Sequence, residues 1–196
     1  MAENLRARKK LLARESIIEA AIEAFARDGF RETRVENIAK GAGTTVATFY
    51  RYFSSKGDLM VPVQGRLTNE VEACLAKLTE EDIRSPRALR RWLDQYIQMW
   101  DRIHRLCEAF WEATTADEEF ANRIFPEAFS PSDVIDRLIA HRSDADRERL
   151  HIRMGMILTA LDRFVFLASV APNEALAEKI RDETAGILWD SMFADR

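Results

Sequence analysis

Between Ser85 and Thr114 the apolar residues step by four and three: Leu89, Leu93, Tyr96, Trp100, Ile103, Cys107, Phe110, Thr114. After Pro86 no glycine or proline interrupts them. This is the period of one face of an α-helix, and in a strand the same positions scatter over both faces. Ser85-Pro86 supplies a cap followed by proline at the first helical position, where a missing N–H costs nothing. The spacing predicts a helix over about 86–114. Trp92, Met99, Leu106 and Trp111 give it a second apolar face, so neighbouring helices are expected around it.

The same grammar runs through the rest of the chain. Seven Gly and five Pro in 196 residues leave long stretches unbroken, and no strand-like alternation or internal repeat stands out. Ile18, Ala21, Ile22 and Phe25 mark a first helix that should end near residue 28, with Gly29 left-handed and Phe30 folding back. Thr33 and Glu36 match a capping box for a short helix from about Val35 to Gly41. Ala42-Gly43-Thr44 interrupts, and Thr45 caps a third helix to about Arg51. Ser54 or Ser55 opens a fourth, carrying Leu59, Met60, Val63, Leu67, Val71, Cys74, Leu75 and Leu78. Shorter helices are expected at 116–125 and 131–141. Long ones follow Ser143 and Pro172-Asn173. The sum is an all-α fold of about nine helices. Residues 1–54 form a three-helix helix-turn-helix domain, and residues 55–196 a helical bundle for ligand binding and dimerisation.

Composition narrows the function classes. The start, MAENLRARKK, has no apolar segment behind its charges, and no run approaches the roughly 20 apolar residues of a membrane span; a cytoplasmic protein with no membrane partner is expected. Cys74 and Cys107 lack CxxC spacing, so buried thiols are expected rather than a disulfide or zinc site. The net charge of −4 argues against binding nucleic acid with the whole surface, but the charge is uneven. Residues 1–60 hold 11 Lys/Arg and 8 Asp/Glu, while residues 61–196 hold 18 and 25. Arg6, Arg8, Lys9, Lys10 and Arg14 precede any strong apolar pattern, which fits either a solvated tail or a phosphate-contacting arm.

The run from Ile17 to Leu59 resembles the N-terminal domain of the TetR family of one-component transcriptional regulators. The resemblance rests on AAIEAFARDGF at 20–30, Thr33, Asn37-Ile38-Ala39, GAGTTVATFYRYF at 41–53 and Ser55-Lys56, in the family's order. The chemistry of the residues agrees. Ala39, Ala42 and Gly43 are small where two helices cross, and Phe49 and Phe53 can anchor a recognition helix from behind. Thr33, Thr44 and Thr45 can meet phosphates at helix starts. The resemblance implies backbone contacts for Tyr50, Tyr52 and Lys56. Base reading falls to Thr45, Val46, Ala47 and Thr48, with Arg34 and Arg51 as charged candidates. That surface lacks an Asn, Gln or Lys for a bidentate grip on a purine, so thymine methyls and DNA shape are expected to carry specificity. The sequence departs from the common family pattern at Val46, Ala47 and Gly57, where a polar residue, Gly and Glu are frequent; Gly57 is expected to loosen the start of the fourth helix.

Beyond residue 60 the resemblance is architectural. It implies a small-molecule site among the C-terminal helices. Trp100, His104, Cys107 and Trp111 share one face of the long helix, and Phe125, Phe129, Met154 and Leu158 are the candidates to close a pocket over it, for a small hydrophobic or aromatic effector. The plain alternative is that these aromatics are core. Glu108, Glu112, Asp162 and Arg163 lie nearby in pattern, with Asp162-Arg163 reading as a salt bridge, solvated or at an interface. The last two long helices carry more apolar surface than one core face needs, which fits a homodimer. No nucleophile with a base, metal-ligand set or phosphate-cradling loop is present, so no cofactor, metal or catalytic residue is expected. The leading expectation is a dimeric repressor that binds a palindromic double-stranded operator and is released by its effector. The alternatives are a helical ligand-binding protein without DNA binding and, far less favoured, an all-helical enzyme.

Overall fold

Helix α1 runs from Ala2 to Glu32, so the basic residues expected in a tail or arm are helical. In the computed structural model the described residues are 2–79, 81–124, 136–137, 139–140 and 143–193, with 2–6 as backbone only. Among them are eight α-helices, one 3-10 turn and no strand: α1, α2 (Val35–Gly41), α3 (Val46–Tyr50), α4 (Lys56–Leu75), a turn at Asp82–Arg84, α5 (Pro86–Ala116), α6 (Glu118–Ile124), α7 (Asp144–Ser169) and α8 (Glu174–Met192). Of the helix expected at 131–141, residues 136 and 137 are helical and most of the rest lies outside the described residues.

Capping chemistry sets the ends. The hydroxyls of Thr45, Ser85 and Ser143 accept from the N–H groups of Thr48, Ala88 and Asp146, at 3.1, 3.2 and 3.2 Å. The Asn173 side chain accepts from Leu176 at 3.0 Å, and Ser55 caps α4 through Asp58 N at 2.9 Å. Each satisfies an orphan donor of a first turn. Thr33 is an exception to the expected pattern. Arg34, not Thr33, is the N-cap of α2, and it makes no side-chain cap bond.

The chain divides into two compact units, residues 1–68 with 103–124 and residues 69–102 with 125–196. The expected division at 54/55 separates roles, whereas these units follow packing. In the first, Ile17, Ala21 and Phe25 of α1, Ile38 of α2, Phe49 of α3 and Leu59, Met60 and Val63 of α4 form one buried cluster with Leu106, Ala109 and Ala113 of α5 and Phe120 of α6. In the second, Leu89, Trp92, Leu93 and Tyr96 of α5 are buried. Each such aromatic or leucine contributes roughly 1.5–3 kcal/mol on leaving water. Trp92 Nε1 donates to Cys74 O at 3.0 Å and Trp189 Nε1 to Ile83 O at 2.9 Å, so neither indole leaves a donor unmet. Arg90 joins α5 to Glu178 and Asp182 of α8 at 3.1 and 3.3 Å.

The predicted stripe of α5 holds in its first half, where Leu89, Leu93, Tyr96 and Trp100 are buried. Further on, Ile103, Cys107, Phe110 and Thr114 are half-buried, while Leu106, Ala109 and Ala113 occupy the core face. A 3.5-residue stripe drifts about 20° per heptad on a 3.6-residue helix, so by Thr114 it has turned through roughly 70°. Asp162 of α7 meets Tyr96 of α5. Its carboxylate accepts from the Tyr96 hydroxyl at 2.9 Å, and burial raises its pKa against the opposing pull of Tyr96 and Arg163. Neither cysteine is in a disulfide, Cys74 being buried as expected and Cys107 half-buried. No helix among the described residues is long and apolar enough to cross a membrane.

Candidate nucleic-acid interface

The interface begins with what holds α3 in place. Phe49 is fully buried and Phe53 nearly so, their rings 5.7 Å apart, and Phe49 meets Tyr50 edge-on at 5.3 Å. These are the expected anchors. Between α2 and α3, Gly43 takes a positive φ of 65° and Thr44 N donates to Ala39 O at 2.9 Å, closing a tight turn. Opposite the anchors, Arg34, Thr45, Ala47, Tyr50 and Arg51 are exposed, while Thr44, Val46, Thr48 and Tyr52 are half-buried. Of the expected base-reading and backbone-contacting groups around α3, Thr45, Ala47, Tyr50 and Arg51 are thus the exposed ones, with Thr45 also capping the helix.

Two expected contact residues are structural instead. Thr33 is 2% exposed, and its hydroxyl points inward to Gly29 O at 2.6 Å and Ala24 O at 3.2 Å. A side chain committed to those carbonyls is withdrawn from phosphates. Lys56 donates to Thr33 O at 2.9 Å, Arg31 O at 3.3 Å and Phe30 O, and its ammonium lies 4.3 Å from the Phe30 ring centroid. An ammonium has three donors, and here main-chain carbonyls take all three. Burial lowers the Lys56 pKa, while Glu112 and Glu32 act the other way.

These groups converge on a break in α1. Gly29 has φ 80° and ψ 170°, a positive-φ conformation that suits glycine but is not the left-handed helical one expected. Phe30 folds back as expected, its ring 5.6 Å from Phe25. The Glu112 carboxylate of α5 accepts from Arg31 N at 3.1 Å and lies 3.1 Å from where a Cβ on Gly29 would stand. Glu112, which sequence spacing grouped with His104, is therefore part of the helix-turn-helix support. Gly57 has a similar explanation. A Cβ there would sit 1.8 Å from Asp117 Oδ2, and Asp117 caps α6 through Phe120 N at 2.9 Å. Gly57 thus permits a close approach; it does not merely loosen α4.

Of the candidate effector residues, Trp100 and Met154 are buried and Leu158 half-buried in the second unit, with Trp100 and Phe166 ring centroids 6.4 Å apart. His104, Cys107 and Trp111 are half-buried in the first unit. There Cys107 packs on the N-terminal core, and Trp111 meets Phe110 edge-on at 5.3 Å. Phe125 and Phe129 lie outside the described residues. Among the described residues, no group of three His, Cys, Asp or Glu is placed to hold a metal ion.

The sequence offered Lys9 and Lys10 as part of a solvated tail or phosphate-contacting arm, but not the cleft that they line. Lys9, Lys10 and Ala13 of α1 face Arg51 and Tyr52 across a cleft of about 590 Å³.

A short helix seated by buried aromatics, presenting hydroxyls, methyls and a guanidinium after a tight turn, is a helix-turn-helix DNA-binding domain. Residues 17–62 match the family described as bacterial regulatory proteins, tetR family. Over these residues the chain carries the DNA-binding domain of TetR-family transcriptional regulators. The fatty acid metabolism regulator protein of Bacillus subtilis (strain 168) is 37% identical over 68 residues, 35% of this chain and 33% of the relative. The match thus spans about a third of that relative's length. The regulator TcmR of Streptomyces glaucescens is 24% identical, with 80% of this chain and 86% of the relative covered. The structure of the fatty acid degradation regulator FadR from Bacillus halodurans shares the fold, with a TM-score of 0.56 and 20% identity, over 89% of this chain and 95% of that one. These relatives are named as regulators.

Proposed function

We propose that the protein is a repressor that binds a palindromic operator as a homodimer and is released by a small hydrophobic or aromatic effector. The observation that carries the DNA half is α3 itself: Phe49 and Phe53 fix the helix from behind, and Thr45, Ala47, Tyr50 and Arg51 stand exposed on its other side. Two-fold pairing would present two such helices to successive major grooves, where half-site spacing must match their separation. Support for pairing comes from Ile152, Met156, Leu167 and Val170 on or just after α7 and Leu176 and Ile187 on α8, all exposed and apolar. An effector that favours another separation would lower operator affinity.

A mobility-shift titration with the DNA upstream of the protein's own gene tests the operator reading. A saturable shift on a palindromic fragment is expected. Absence of a shift at low salt on every palindromic fragment would remove it. Aliphatic acyl compounds are the first effector class to add, following the name of the Bacillus subtilis relative; release of the shifted band is the expected response.

A further inference from the structure

The first four turns of α1 have no place in the domain's hydrophobic core, whose first member is Ile17. Leu11 and Leu12 are 69% and 59% exposed. Residues 1–14 nevertheless carry five Lys/Arg against one Glu. Five like charges on one helical segment repel one another, and little apolar burial offsets this. Three other cations of the unit are held in ion pairs, Arg66 with Glu15 and Glu19, Arg27 with Asp28 and Arg123 with Asp58. Lys9, Lys10 and Arg51 form no ion pair among the described residues. All three line one cleft with Ala13 and Tyr52, and the Arg51 guanidinium lies 5.7 Å from the Tyr52 ring centroid. The cleft therefore gathers positive charge from two places, α1 and the residues just after the recognition helix α3.

We propose that this cleft is a second DNA site, a clamp in which Lys9, Lys10 and Arg51 hold sugar-phosphate backbone beside the segment that α3 reads. The inference rests on the DNA-binding reading of α3 and adds to it. The clamp supplies affinity without sequence information, because it meets phosphates rather than base edges. This suits a recognition surface poor in hydrogen-bonding side chains. It also explains why a net acidic protein keeps an unpaired basic helix end next to its helix-turn-helix.

The test compares wild type with K9A/K10A, in which alanine keeps the helix, and with K77A/K179A, which removes equal charge from the other unit. Affinity is measured on an operator fragment and on a scrambled fragment from low to moderate salt. Each lysine lost should reduce the slope of log K against log salt by about 0.9, so by about 3.6 for the double variant as a dimer. The expected result is that K9A/K10A weakens both fragments by a similar factor, tenfold or more, while K77A/K179A leaves the slope unchanged. An unaltered slope in K9A/K10A, an equal drop in K77A/K179A, or a loss confined to the operator would each overturn the clamp while leaving the α3 reading intact. If wild type binds no fragment, both fall.

Discussion

Thr33 and Lys56 show how residue chemistry misleads when its direction is unknown. Both types suit phosphates, and both stand beside a recognition unit, yet the break in α1 leaves carbonyls that need donors, and these two side chains supply them. Thr33→Val keeps the shape and removes the donor, leaving buried oxygens unmet at a cost of about 1–3 kcal/mol. Urea unfolding should show that loss, while the salt dependence of DNA binding by the folded variant stays as in wild type; a reduced salt slope would return Thr33 to the phosphates. Gly57 was legible as a departure from its family, but not its reason, because Asp117 lies 60 positions on and only packing brings it near. Gly57→Ala must displace a carboxylate that caps α6. In a double-mutant cycle with Asp117→Ala, the two changes should couple by about 1 kcal/mol or more, whereas additivity within about 0.5 kcal/mol would mean that the carboxylate moves freely.

At the scale of elements, helix ends were readable wherever a Ser, Thr or Asn side chain closes its own first turn, as at Thr45, Ser85, Ser143 and Asn173, because the bond spans three residues. The start of α1 was not readable, since residues 2–14 carry no apolar stripe to reveal a period. Nor was the inward face of α5, which is apolar on several sides; its neighbours decide which residues are buried, and they come from elsewhere in the chain. The same holds for Asp162, which looked like half of a salt bridge and instead joins α7 to Tyr96 of α5. Its folded pKa is raised above the unfolded value, mainly by burial. Protonated, it sits well in the fold; ionised at neutral pH, it costs stability, and that cost fades as pH falls toward the ordinary aspartate value. Asp162→Asn keeps an acceptor for the Tyr96 hydroxyl without a charge. It should raise Tm at pH 7, by about 2–4 °C for each 1 kcal/mol relieved in a chain of this size, and the gain should shrink toward pH 4. A gain independent of pH would mean that ionisation of Asp162 is not the cause.

For the whole molecule, the DNA-binding half was legible because its motif is local, while the effector half depends on which elements meet. Trp100 and His104 are one helical turn apart in sequence, yet they fall in different compact units, so a shared face of α5 did not imply a shared environment. Assembly is the remaining whole-molecule property, and the exposed apolar residues of α7 and α8 give it a direct test. Met156 is 62% exposed and Ile187 49%, so a glutamate at either position stays hydrated in a single copy and costs its fold little. In a two-fold interface each charge would be buried without a partner, and the symmetry would impose that penalty twice. M156E/I187E should therefore sediment as a folded monomer where wild type sediments as a dimer, with the same helical circular dichroism. Two linked half-sites bind more tightly than one by about 10²–10⁴, so operator affinity should fall by that order while affinity for a single half-site is kept. If the double variant remains a dimer, these faces are not the interface, and operator symmetry has to be met by another surface.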